Sequence, residues 1–190
     1  MTQQLFILTG ASRGMGLAMA QQLLQPGHTL ICMARNSNSQ LTAAVPAGAM
    51  LEQWTVDLSE PAPAAQQLHA WLAGQSAGRY ASATLINNAG VIPRIAPLSA
   101  CASAQDMADQ ARALRVGLEA PMLLTAAFLG ATEGWGAPPH AVARKVLNIS
   151  SGLGRRAMAS QAAYCAAKAG MDHFTRCLAL DEAPLAHGAK

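Results

Sequence analysis

Leu5-Phe6-Ile7-Leu8-Thr9-Gly10-Ala11-Ser12-Arg13-Gly14-Met15-Gly16 is the stretch that decides the fold class. Its opening apolar run predicts a short buried strand, and the glycines carry the chain into residues 17–24. There the apolar side chains at 17, 20, 23 and 24 share one helical face, and Gln25-Pro26-Gly27 stops the segment. A strand, a tight turn and a helix start make a place for an anion. Unpaired N–H groups point outward at a helix start, and the helix dipole favours negative charge there. Glycine tolerates positive φ and leaves no Cβ in the way of a phosphate. The candidate contacts are therefore Gly10, Ser12, Arg13, Gly14, Met15 and Gly16.

Composition narrows the class. A chain of 190 residues suits one domain, here residues 1–190, and 52% hydrophobic against 12% charged residues argues for a buried sheet and against disorder. The net charge of +3 comes with no basic run, and 4% aromatic residues is too few for a stacking platform, so a nucleic-acid partner is not expected. Cys32, Cys101, Cys165 and Cys177 have neither metal-ligand nor redox spacing, so no metal is expected. Residues 120–131 are strongly apolar but too short to cross a bilayer, and the first apolar run is too short for a signal peptide. A cytoplasmic, reduced protein without membrane contact is the expectation.

Residues 29–34 predict a second, doubly buried strand. In dinucleotide-binding folds an acid near its end takes the ribose hydroxyls, whereas an arginine accommodates a 2′-phosphate. This strand ends Ala34-Arg35-Asn36 with no carboxylate, and Arg13 lies inside the glycine loop. Both arginines also read as ordinary solvated surface residues, but their positions favour NADP(H) over NAD(H). Residues 37–45 predict a short helix, and residues 50–56 a third strand ending at Asp57. Asp57 reads as a cap for the helix expected over residues 61–72. Strand four, residues 83–86, runs into Asn87-Asn88-Ala89-Gly90. This is a turn composition, or an amide that fixes the strand end followed by small residues that admit a ribose. A long helix is expected over residues 103–129, with a kink or break near Gly117 because Pro121 lies inside it. Residues 130–144 read as a loop and 145–149 as strand five. Strands alternating with helices give an α/β fold, a doubly wound parallel sheet in three layers, with strand order 3-2-1-4-5.

Strand five ends Asn148-Ile149-Ser150-Ser151-Gly152, and Tyr164-Cys165-Ala166-Ala167-Lys168 follows in a helix expected over residues 159–180. Tyr164 and Lys168 are four apart and share a helix face. Carbonyl reduction needs a proton at oxygen as hydride reaches carbon. A free phenol is too weak an acid for that near neutrality, and a nearby ammonium brings it toward the working range. Ser151 offers a hydrogen bond where negative charge develops on the oxygen. Taken singly, these residues also read as a buried Tyr, a solvated Lys and an ordinary turn.

Their order makes the difference. Thr9-Gly-xxx-Gly-x-Gly16, then Asn-Asn-Ala-Gly, then Ser151 thirteen residues before Tyr-xxx-Lys resembles the short-chain dehydrogenase/reductase family over almost the whole chain. The resemblance implies that Tyr164 is the general acid/base, that Lys168 is its partner and holds the nicotinamide ribose, and that Ser151 orients the substrate. It makes Asp57 the acceptor of the adenine amino group and brings Asn87, Ala89 and Gly90 to the cofactor. It also implies a homodimer or homotetramer built on the fourth and fifth helices. Where the family has an asparagine that holds a water beside the lysine, this chain has Gly117. The expectation is that a water or another polar side chain takes that place.

The segments around Leu85–Gly90, Ala120–Thr125 and Tyr164–Asp172 look like the sepiapterin reductase and benzil reductase branch. That likeness implies an NADPH-dependent carbonyl reductase acting on ketones or diketones as small-molecule substrates. A cofactor-binding regulator or inactive homologue is the alternative, and a dehydratase or epimerase on the same fold a third. The resemblance further leads one to expect a sixth strand, a substrate-covering helix and a seventh strand beyond residue 183. The 190 residues are therefore expected to be part of a longer polypeptide, or a form that has lost its substrate lobe.

Overall fold

Strand β1 (Gln3–Thr9) runs through the middle of a parallel sheet because both of its faces are apolar. Leu5 and Ile7 enter one core and Leu8 the other, all three without solvent exposure. Ile7 is in register with Ile31 of β2 (His28–Ala34) on one side and Leu85 of β4 (Tyr80–Asn87) on the other. With β3 (Met50–Thr55) and β5 (Ala143–Asn148) the order is β3-β2-β1-β4-β5, as expected. The computed structural model describes residues 3–137, 142–185 and 188–190. The expected loop over 130–144 therefore lies partly outside the described residues, as do residues 186 and 187.

Helix α1 (Gly14–Leu23) and the short α2 (Ser39–Ala43) cover one face of the sheet through Ala20 and Leu41. On that face burial pushes the Cys32 thiol up to about 12, so this cysteine is an inert core residue. The opposite face is covered by α3 (Pro61–Ala73) and by α4 (Ala104–Leu114), which continues into α5 (Ala120–Ala131). Leu68 and Leu72 of α3 meet Leu124 and Phe128 of α5 there, all fully buried. Each such side chain contributes about 1.5–3 kcal/mol on leaving water.

The fourth helix neither breaks nor sharply ends at Gly117. Residues Arg115–Glu119 form a π-turn, in which the Ala120 N–H donates to the Arg115 carbonyl. Pro121 has no N–H to give to the residue four before it, and a widened turn absorbs that misfit without ending the helix. The continuous helix Ala104–Ala131 is long and apolar enough to cross a membrane by composition, unlike residues 120–131 alone. Half of its most apolar window is buried inside the protein, as a core helix requires. Helix α6 (Ala162–Glu182) packs beside α4 and the π-turn. Beyond it, Lys190 lies along β5: its N–H donates to the Arg144 carbonyl (3.0 Å) and its carbonyl accepts from the Val146 N–H (2.8 Å). That alternation is the pattern of a parallel pair.

Candidate active site

The carboxyl ends of β1, β2, β3 and β4 open into one cleft of about 430 Å³. Its floor is the glycine loop, whose spacing now has a physical reason. Gly10 has φ +72°, and Gly14 has φ +57°, values that L side chains rarely adopt. At Gly16 a Cβ would collide with the Gly10 carbonyl and stand 2.6 Å from the Asn88 Nδ2. The start of α1 is thereby pressed onto the exit of β1. Asn88 locks that crossing by donating from Nδ2 to the Thr9 carbonyl (2.9 Å), while Thr9 Oγ1 accepts from the N–H groups of Asn88 (2.9 Å) and Ala89 (3.0 Å). Asn38 Nδ2 holds the loop from the other side through the Ser12 carbonyl (3.1 Å). Arg13, the N-cap of α1, gives no side-chain cap, so the first N–H groups of the helix stay available to the cleft.

Gly10, Ser12, Arg13, Gly14, Met15, Gly16, Arg35, Asp57, Ala89 and Gly90 all line this cleft. Asp57 is an exposed residue whose Oδ1 accepts from the Ser59 N–H (2.9 Å) and the Ser59 hydroxyl (2.8 Å). It therefore shapes the turn before α3, whereas the N-cap of α3 itself is Glu60. These two hydrogen bonds, with Arg35 and Arg112 nearby, hold its carboxyl below the usual range.

Asn87 departs from the expectation. It lies beneath the cleft, almost fully buried, where Nδ2 donates to Asn148 Oδ1 (2.8 Å) and Thr125 Oγ1 (3.3 Å). Asn88 lines the cleft in its stead. Arg112 of α4 also lines it, and sequence reading missed both. Asn88 was legible as part of the turn motif, but Arg112 sits in an amphipathic helix among other charges and gives no local signal.

Tyr164 and Lys168 share one face of α6, and Lys168 reaches the end of β5, two residues before Ser151. Lys168 is 4% exposed, and its Nζ donates to the Ile149 carbonyl at 2.6 Å. The same Nζ lies 5.9 Å from the centre of the Tyr164 ring, close enough for the ammonium to act on the phenol. Burial pushes the Lys168 amine down, and Asp172 partly opposes this. Ser151 Oγ accepts from the Leu153 N–H (3.2 Å), which leaves the hydroxyl proton free to donate elsewhere.

Among the described residues, the nearest side-chain atom to where a Cβ on Gly117 would be is the Ala167 methyl, at 3.0 Å, and no polar side-chain atom lies within 4 Å of that point. Glycine here lets the π-turn and α6 approach one another.

Residues 4–186 match the family model described as short chain dehydrogenase. Benzil reductase, (S)-benzoin forming, from Bacillus cereus is 32% identical over 183 residues, covering 93% of this chain and 68% of that protein. Sepiapterin reductase from Rattus norvegicus is 30% identical over 185 residues, covering 93% and 68%. A metagenomic short-chain oxidoreductase, solved in complex with NADP, has a TM-score of 0.76 and 29% identity over all of this chain and 79% of its own. With this cleft, this Tyr-xxx-Lys helix and these relatives, the chain belongs to the short chain dehydrogenase family of oxidoreductases.

Proposed function

We propose that this chain is an NADPH-dependent carbonyl reductase, and in reverse an alcohol dehydrogenase, for a ketone, diketone or secondary alcohol. The observation that carries the reading is a buried lysine whose Nζ lies 5.9 Å from the centre of the Tyr164 ring. The cleft fits the dinucleotide: no side chain caps the start of α1, so its first N–H groups are available to a pyrophosphate. Arg13 and Arg35 take the 2′-phosphate, Asp57 the adenine amino group, and Ala89 and Gly90 leave room for the ribose. Asn87 acts from below by fixing the end of β4. NADPH, when bound, supplies the hydride for the carbonyl carbon.

Tyr164 gives its proton to the carbonyl oxygen, and the Lys168 ammonium stabilises the phenolate left behind. Ser151 donates to the same oxygen as charge grows on it. Lys168 and Tyr164 also hold the nicotinamide ribose. The benzil and sepiapterin reductase relatives support a small carbonyl substrate, and the NADP-bound neighbour supports the cofactor choice. The same reading has a homodimer or homotetramer in the cytoplasm, with no nucleic acid or membrane partner. Gly117 packed on Ala167 favours a second reading, a cofactor-binding regulator or inactive homologue. NADPH absorbance followed with a panel of ketones and diketones separates the two. Ketone-dependent loss supports the reductase; tight NADPH binding with no loss across the panel supports the regulator.

A further inference from the structure

Ser151 sits in a loop fastened to α6 on both sides, and Asp172 is at both fastenings. On the strand side, Ser150 Oγ donates to Asp172 Oδ1. On the far side, Gly154 closes so tightly on the helix that a Cβ there would stand 2.9 Å from Asp172 Oδ2 and 3.1 Å from the Lys168 carbonyl. The same stripe of α6 holds the strand end: Lys168 Nζ donates to the Ile149 carbonyl (2.6 Å) and Asn148 Nδ2 donates to Thr175 Oγ1 (2.9 Å). Residues 164, 168, 172 and 175 follow helical spacing, so the acid, the ammonium and the clamp share one line. Asp172 is also the charge that works against the burial of Lys168. Of the other ionisable side chains on this part of α6, His173 and Arg176 contact each other. Arg112, Arg115 and Glu119 on the α4 side and Arg155 and Arg156 on the loop side do not enter the Lys168 balance.

We infer that Asp172 is a positioning residue: its carboxylate holds Ser150, and through it the Ser151 hydroxyl, in register with Tyr164, while its charge faces Lys168. The catalytic consequence rests on the reductase reading; the clamp and the charge belong to the chain alone. Two variants separate them. Asp172→Asn keeps an acceptor for Ser150 and removes the charge, whereas Ser150→Ala removes the bond and keeps the charge.

Lysines 145, 168 and 190 are the only ones in the chain, so Lys168 is followed by NMR with isotope-labelled lysine, assigned through its loss in Lys168→Arg. Asp172→Asn is expected to lower the Lys168 titration midpoint by about one pH unit, with the Ser151 amide signal in place. Ser150→Ala is expected to shift the Ser151 amide signal and leave the Lys168 midpoint. It should also lower kcat about tenfold at unchanged KM for NADPH, with rescue by Ser150→Thr. An unmoved Lys168 midpoint in Asp172→Asn, or an unmoved Ser151 signal in Ser150→Ala, overturns the proposal whether or not the chain reduces ketones. Loss of the reductase reading alone would show as NADPH binding without turnover in the unaltered chain.

Discussion

Gly117 and Ala167 face each other across the contact of the π-turn with α6, with room for a Cβ on Gly117 only at 3.0 Å from the alanine methyl. Ala167 is fully buried and precedes Lys168, so this contact sets the height of the lysine above the sheet. Restoring an asparagine at 117 should therefore harm the protein even though it restores the residue type of the family. Gly117→Asn is expected to cost about 1–3 kcal/mol by overpacking. Adding Ala167→Gly should return part of that loss, because the two sites share one space. Urea unfolding of the two single variants and the double variant measures the coupling. Additive losses would show that the two positions do not compete.

The sheet order was legible because the signals are local: doubly apolar strands, glycine and proline stops, and helical spacing between them. Gly10, Gly14 and Gly16 were legible for the same reason, since positive φ and close approach leave glycine as the residue that fits. The reading of Asn87 as an amide that fixes the strand end matches its bonds, while the two neighbouring asparagines look alike in sequence and point to opposite sides of that end. Asn87 turns down to Asn148 and Thr125, and Asn88 turns toward Thr9. Alternation along the strand would have separated them. Arg112 reaches the cleft from a separate helix, and Asp172 meets Ser150 22 residues away in the chain, so spacing within α4 or α6 points to neither contact. The π-turn is a tertiary answer to Pro121, not a propensity of Arg115–Glu119.

Tyr164→Phe removes the proton donor and leaves the glycine loop and both arginines untouched. Turnover with a good ketone is expected to fall by about 10²–10⁴, with the Kd for NADPH weakened by no more than about tenfold, since one ribose hydrogen bond is lost but no phosphate contact. Stopped-flow turnover and fluorescence titration measure the two separately. Most of the rate surviving would remove Tyr164 from the mechanism.

Arg35→Ala is expected to weaken NADPH binding about tenfold or more, because a charge-assisted hydrogen bond contributes about 1.5–3 kcal/mol. NADH lacks the 2′-phosphate, so its Kd should barely move. Arg13→Ala should behave in the same way, and the pair should be less than additive if both reach one phosphate. Isothermal titration with both cofactors is the measurement. Equal losses for NADPH and NADH would mean that Arg35 does not meet the 2′-phosphate.

Gly16→Ala puts a methyl against the Gly10 carbonyl, which is backbone and cannot swing aside, and against Asn88 Nδ2. It should open the Asn88 to Thr9 lock and weaken both cofactors alike, in contrast to Arg35→Ala. Gly14→Ala meets nothing within 4 Å but must hold φ +57°, so it should cost about 1 kcal/mol of stability with less effect on binding. The ratio of NADPH to NADH affinity distinguishes the outcomes: constant for Gly16→Ala, collapsed for Arg35→Ala.

Lys168 gives a pH dependence whose sign is fixed by its burial. Its folded-state pKa lies below the ordinary lysine value, so the native chain sheds this proton before the unfolded chain does. Between the folded pKa and about 10.4 the unfolded state binds more protons, and this group's contribution to stability rises with pH. Below that window the buried ammonium costs its full amount, and above it the contribution is flat. Cys32 and Tyr80 act the other way: burial raises both, so the unfolded chain ionises first and stability falls as pH rises. Whole-protein stability in alkali mixes the three. The difference between the unaltered chain and Lys168→Met isolates the lysine, because Cys32 and Tyr80 are common to both. Lys168→Met loses the bond to the Ile149 carbonyl but also the buried charge, so its advantage should be greatest near neutrality. The unaltered chain should then gain on it steadily as pH rises through the depressed folded value of the lysine toward about pH 10.5. Urea midpoints across that range are the measurement. A difference that stays flat, or that moves in favour of Lys168→Met as pH rises, would mean that Lys168 is not held under a desolvation penalty in the folded chain.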